Sequence, residues 1–133
     1  MIAIALAALL GAGESGEGWQ AYTPAYHEVM EAGRPLLVLV SADWCGPCQR
    51  LKASVLPDPR IRKLLEGYVC ARVDVDEQPG LADKLGGDGG VPLLVLFRKT
   101  DNGWRKQELR GYQSVEELAS FIDPGKAAES TKR

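Results

Sequence analysis

Residues 36–40, Leu-Leu-Val-Leu-Val, form an unbroken apolar run between Pro35 and Ser41. Such a run has no polar face to offer water, so it predicts a central strand covered on both sides, in a sheet with parallel neighbours. Close behind it stands Trp44-Cys45-Gly46-Pro47-Cys48. Pro47 suits the first turn of a helix, where a missing N–H costs little. Strand followed at once by a proline-started helix restricts the chain to folds that alternate sheet and helix, and it places two thiols at the junction. A C-x-x-C pair binds metal or closes a disulfide, and in this position it reads as a redox pair.

The physical reason is charge. The thiolate is the attacking species, and the free N–H groups and positive dipole end of a helix stabilise negative sulfur there. Cys45 receives that help. Lowering a thiol from about 8.5 to about 7 is worth roughly 2 kcal/mol and raises the thiolate fraction at neutral pH about fifteenfold.

The chain has 133 residues, 45% hydrophobic and 26% charged, which allows one ordinary core and not two. A formal net charge of −2 with interspersed signs argues against a nucleic-acid partner. Three cysteines are too few for a disulfide framework. Cys70, in the alternation Tyr68-Val69-Cys70-Ala71-Arg72-Val73, is expected as a small buried hydrophobe on a strand. Residues 2–10 are nine unbroken apolar residues followed by Gly11, Ala12 and Gly13. That pattern reads as an export signal over residues 1–13, too short to span a bilayer and without the usual basic start. The alternative is an N-terminal helix packed on the domain. Residues 14–18 read as a polar linker, 19–124 as the domain, and 125–133 as a disordered tail.

Within the domain, a helix is expected over 24–32, with Thr23 as N-cap, Pro24 in its first position and Gly33 as the stop. A second helix runs from Cys45 to about Leu56, is broken by Pro57-Asp58-Pro59, and resumes over 60–66. Residues 68–75 alternate as a strand, and 81–85 form a brief helix. The run Gly86-Gly87-Asp88-Gly89-Gly90 is expected to be a mobile loop. Pro92 opens a strand over 93–97, and Asp101-Asn102-Gly103 turns it into an antiparallel partner over 104–109. Ser114 and Glu117 make a capping box for the last helix, which stops at Asp123-Pro124-Gly125. The summed order predicts an α/β domain, a mixed sheet with helices on both faces.

WCGPC after a buried strand, with Val91-Pro92 opening a later strand before a β-β-α end, resembles thioredoxin over residues 19–124. Ala42-Asp43-Trp44-Cys45, and Asp58-Pro59 followed by Arg60-Ile61, resemble the C-terminal domain of the bacterial thiol-disulfide interchange protein DsbD, which works outside the cytoplasm. The resemblance implies a thioredoxin fold and thiol-disulfide oxidoreductase activity, with protein disulfides as substrates. It also implies an upstream thiol reductant as partner and no cofactor beyond the Cys45–Cys48 disulfide. Cys45 would be the exposed attacking thiol and Cys48 the more buried resolving one. Trp44 would pack beside the site, with Gly46 and Pro47 shaping it. Val91-Pro92 would be the family's cis peptide, and the backbone of Val91 would pair with an extended substrate segment. A monomer with no stable membrane insertion is expected. The pattern departs from the family at one position: Leu39 stands six residues before Cys45, where relatives carry a buried aspartate implicated in moving the resolving thiol's proton. Asp43 would replace it only with its side chain turned toward the thiols.

Three other readings of the same residues stand beside this one, among them a substrate-binding or chaperone-like protein in which redox turnover is minor. A cytosolic thioredoxin-type electron donor would share the chemistry without the export. A metal or cluster module would use the cysteines as ligands, yet one C-x-x-C supplies too few for four-coordinate zinc, and the single histidine, His27, lies on another helix.

Overall fold

A computed structural model describes residues 18–123. The expected leader (1–13) and tail (125–133), and the linker apart from Gly18, lie outside the described residues. Five strands form one sheet in the order β1-β3-β2-β4-β5: β1 Trp19–Ala21, β2 Leu36–Ser41, β3 Val69–Asp74, β4 Leu93–Thr100 and β5 Gly103–Arg110. The helices are α1 Tyr22–Ala32, α2 Gly46–Arg50, α3 Pro59–Leu65, α4 Pro79–Leu85 and α5 Val115–Ile122.

β2 is the central strand, and all six of its residues are buried. Successive side chains of a strand point to opposite faces. Leu37 and Leu39 therefore join Leu51, Val55, Ile61, Leu118 and Ile122 on one side, while Leu36, Val38 and Val40 join Ala25, Val29, Ala82 and Leu85 on the other. Each fully buried side chain of this kind is worth about 1.5–3 kcal/mol, so a polar residue on either face of β2 would be costly. Helices cover both faces, as the sequence predicts.

The neighbours of β2 correct one expectation. β3 pairs with it in parallel, but β4 pairs antiparallel, Leu37 opposite Leu96 and Leu39 opposite Leu94. Burial on both faces produces the continuous apolar run whatever the direction of the neighbours. A second correction is β1, which the sequence reading missed. Its three residues are half-exposed edge backbone carrying no alternation, and they are ordered by parallel pairing of Trp19 with Cys70 and Ala21 with Arg72. Because the chain turns directly from this strand into α1, the helix starts at Tyr22 with Ala21 as its cap, and Thr23 is inside it. Gly33 ends α1 at φ 68°, a left-handed conformation that glycine adopts without penalty, and its N–H bonds the Val29 carbonyl at 2.8 Å.

The helix begun at Gly46 widens into a π-helical turn over Leu51–Val55, where the Leu56 N–H reaches the Leu51 carbonyl at 3.0 Å. This places Leu51, Val55 and Leu56 in the core before Pro57. Asp58 then caps α3, accepting the Arg60 N–H at 2.9 Å. The glycine-rich run also departs from the expected free loop. Gly87–Gly89 close a 3-10 turn, and the Arg110 guanidinium donates to the Gly90 carbonyl at 2.6 Å. A side chain at Gly89 would meet that guanidinium at 3.1–3.2 Å, so the arginine would have to give by a few tenths of an ångström. The capping box of α5 forms as expected, with Glu117 N–H on Ser114 Oγ at 3.1 Å and Ser114 N–H on Glu117 Oε1 at 3.0 Å. Hydrogen bonding from the Ser114 backbone and, next, its side chain holds the Glu117 carboxyl below its usual range.

Candidate active site

The site begins where β2 runs out of sheet. Ala42 is wholly buried, and its carbonyl accepts the Cys45 N–H at 3.2 Å, which folds the chain back into α2. The Gln49 side-chain amide lies against the same turn, within 3.3 Å of both the Ala42 and Asp43 carbonyls. Sequence reasoning passed over Gln49. A glutamine one turn into a helix is ordinary, and only the folded turn presents two carbonyls to it.

Cys45 is the N-cap residue of α2, and its sulfur accepts the Cys48 N–H at 3.2 Å. The expected donor is therefore present, in the place where a sulfur anion would form. Cys45 and Cys48 are joined as a disulfide, with their Cα atoms 5.2 Å apart. Cys48 is 0% exposed and Cys45 only 5%, so the attacking position is less open than the expected exposed thiol. Ala42, Val75 and Val91 pack around the pair. The difference between the two cysteines keeps the expected order.

Trp44 stands out from the surface at 70% exposure, and its indole N–H donates to Asp76 Oδ2 at 2.9 Å. Asp76 is a second residue missed in the sequence. It is held by Asp74 at the end of β3, whose Oδ1 accepts the N–H groups of Asp76 at 2.8 Å and Glu77 at 3.1 Å. The signal was there, since an aspartate ending a strand before polar residues favours this side-chain turn. Opposite Trp44, the Val91–Pro92 peptide bond is cis, and the Val91 carbonyl oxygen lies 3.6 Å from Cys45 Sγ. Val91 precedes β4 by two residues and lies outside its ladder, while the Pro92 carbonyl accepts the Gly111 N–H at 2.8 Å. Gly46 is exposed and Pro47 half-buried, completing the rim.

Leu39 is 2% exposed and sits among the hydrophobes under the helix that carries Cys48. Asp43 is exposed, on the turn that leads into α2. The third cysteine behaves as expected. Cys70 is buried in β3, and burial pushes its thiol from 9.0 up to about 12. His27 is exposed on α1. Among the described residues no three His, Cys, Asp or Glu side chains come together as a metal-binding group, and no helix is long and apolar enough to cross a membrane.

Comparison with known proteins places this geometry. A family model described as thioredoxin-like matches residues 18–99. The chain is 33% identical to a thioredoxin of Rickettsia felis over 97 residues, 72% of this chain and 86% of that one. It is also 33% identical to thiol:disulfide interchange protein DsbD 1 of Pseudomonas aeruginosa, over 71% of this chain and 17% of the longer protein. Among solved structures, a thioredoxin from Thermus thermophilus superposes with a TM-score of 0.70 at 26% identity, covering 84% of this chain and 91% of the other. The five-stranded mixed sheet is thus the thioredoxin fold. With a C-x-x-C disulfide at the start of its second helix, the chain belongs to the thioredoxin-like family and is a thiol-disulfide oxidoreductase.

Proposed function

We propose that the protein reduces protein disulfides outside the cytoplasm, with Cys45 as the attacking sulfur and Cys48 as the resolving one. The observation that carries this is the placement of Cys45 Sγ at the α2 N-cap, 3.2 Å from the Cys48 N–H and 3.6 Å from the Val91 carbonyl. In the reduced protein, the Cys45 thiolate attacks one sulfur of a substrate disulfide. A mixed disulfide forms, and the first substrate sulfur leaves as a thiolate that takes up a proton. Cys48 then loses its proton and attacks Cys45 Sγ, releasing the second substrate sulfur. Two electrons and two protons pass to the substrate, and the protein is left as the Cys45–Cys48 disulfide. An upstream thiol reductant restores the dithiol by the reverse exchange, and no other cofactor takes part.

Val91 and Pro92 offer backbone to an extended substrate segment, because they border the sulfur without being tied into the ladder of β4. Trp44, Gly46 and Pro47 border the disulfide along the start of α2. The reducing direction is supported by Gly46-Pro47 between the cysteines, which resembles reducing members of the family. Export is supported by apolar residues 2–10 and by the likeness to DsbD. A second reading, a thioredoxin-type electron donor in the cytosol, is favoured by the match to nearly the full length of the Rickettsia thioredoxin. We read the working form as a monomer.

Insulin reduction with a dithiol donor tests the chemistry, and full activity in Cys45→Ser would overturn it. The mature N-terminus separates the two locations. Cleavage near Gly13 supports export, and intact Met1 in a cytosolic fraction supports the thioredoxin-type donor.

A further inference from the structure

The rim of the disulfide carries opposite charges on its two sides. On the Trp44 side stand Asp43 and Asp76, the latter taken up by the indole N–H. On the other side is Arg50, one helical turn beyond Gly46. A side chain at Gly46 would lie 3.8 Å from Arg50 Nη1, so the guanidinium folds back toward the residue next to Cys45. Arg50 Cζ lies 5.6 Å from the centroid of the Tyr112 ring, a cation–π distance. Tyr112 follows Gly111, whose N–H bonds the Pro92 carbonyl at 2.8 Å, so the backbone that carries the ring is tied to the proline next to Val91.

Arg50 lies at the rim of the disulfide and has no anionic partner among the described residues. Among the described residues, Arg34 pairs with Glu28 at 3.2 Å and Arg110 approaches Glu108 at 3.9 Å while bonding the Gly90 carbonyl. Arg50 forms no such pair, and Tyr112 is itself 43% exposed. A guanidinium held by a ring keeps its charge available and loses less freedom on meeting a carboxylate than a freely moving side chain would.

We propose that the Arg50–Tyr112 pair selects disulfide-bearing segments with an aspartate or glutamate beside the attacked cysteine. This rests on the oxidoreductase reading and specifies its substrate class. The carboxylate docks on Arg50 as the backbone lies along Val91, and Asp43 and Asp76 disfavour the reversed placement. The contact is solvent-exposed, so it acts on encounter and orientation and weakens with salt.

The test uses the full-length chain, pre-reduced, and three cyclic disulfide peptides identical except for flanking aspartates, asparagines or lysines. The same sulfur attacks all three, so the ratio of their second-order rate constants cancels any effect on its pKa. An aspartate-to-lysine ratio of about three to ten is expected from one exposed charge that attracts one peptide and repels the other. The ratio should collapse toward one in Arg50→Gln, persist in Arg50→Lys and invert in Arg50→Glu. It should also shrink in about 0.5 M NaCl, where screening acts within a few ångströms. Equal wild-type rates for the three peptides, or a ratio that survives Arg50→Glu, would overturn the inference alone. Failure to reduce any of the three would remove the oxidoreductase reading and this inference with it.

Discussion

Cys45 and Cys70 carry the same side chain and are 5% and 6% exposed, yet their surroundings prepare them for opposite chemistry. Cys45 ends a turn at the N-terminus of a helix, where the Cys48 N–H points at its sulfur. Cys70 lies within β3, its backbone in ladders with Trp19 and Leu37 and its side chain in the core cluster that holds Leu37, Leu39 and Ile61. There burial opposes the anion, and the coulombic pull of Arg34 only partly offsets it. Low exposure alone therefore does not make a sulfur inert. What decides is whether the backbone supplies donors for the charge.

The strongest way to break this contrast is to remove each sulfur in turn. Cys45→Ser should lower disulfide reduction by about four orders of magnitude, since a hydroxyl does not ionise near neutral pH, whereas Cys70→Ser should stay within about twofold. Comparable losses in an insulin-reduction assay would erase the distinction. Alkylation of the reduced protein at neutral pH sharpens it further. Cys45 should react about a thousandfold faster than Cys70, which becomes reactive only on unfolding, and peptide mapping of a time course would read both rates.

Leu39 tests what supports the other member of the pair. The leucine beneath the helix carrying Cys48 offers no group to take the resolving thiol's proton, so resolution of a mixed disulfide should depend steeply on pH. Leu39→Asp should speed that step about tenfold near neutral pH and flatten its profile, while lowering stability by about 2 kcal/mol or more for a buried carboxyl. An unchanged rate and profile would show that the carboxylate is irrelevant in this chain.

The smallest effect is on alkaline stability. Cys70 has a folded pKa raised above its unfolded value, so the neutral thiol is favoured in the native state. Its contribution is fully present below pH 9.0 and is lost as pH rises from there toward about 12, because only the unfolded chain ionises in that window. Cys70→Val should therefore flatten the fall in denaturation midpoint across that range. A wild-type and variant pair with parallel pH profiles would argue that Cys70 is more accessible than its burial indicates.

Much of the architecture was legible because burial leaves a mark on sequence. The run 36–40 announced the central strand, and Ser114 with Glu117 announced the last helix through a local hydrogen-bond pair. β1 was illegible because three half-exposed residues carry no periodicity, and pairing with β3 alone orders them. The contact made by the glycine run was illegible for a related reason. Glycine permits freedom, and the restraint comes from Arg110, twenty residues away from Gly90.

At the site, the order strand, Cys45, Gly46, Pro47, Cys48 determined by itself that two sulfurs would meet at a helix start, because every interaction involved spans only a few residues. Tertiary structure decided the rest: the Asp76 that takes the Trp44 indole, the Val91 carbonyl beside Cys45, and the Tyr112 ring under Arg50. These partners lie 32, 46 and more than sixty residues apart in the chain. No local pattern encodes such distances, because they are set by how the sheet brings its loops to one edge.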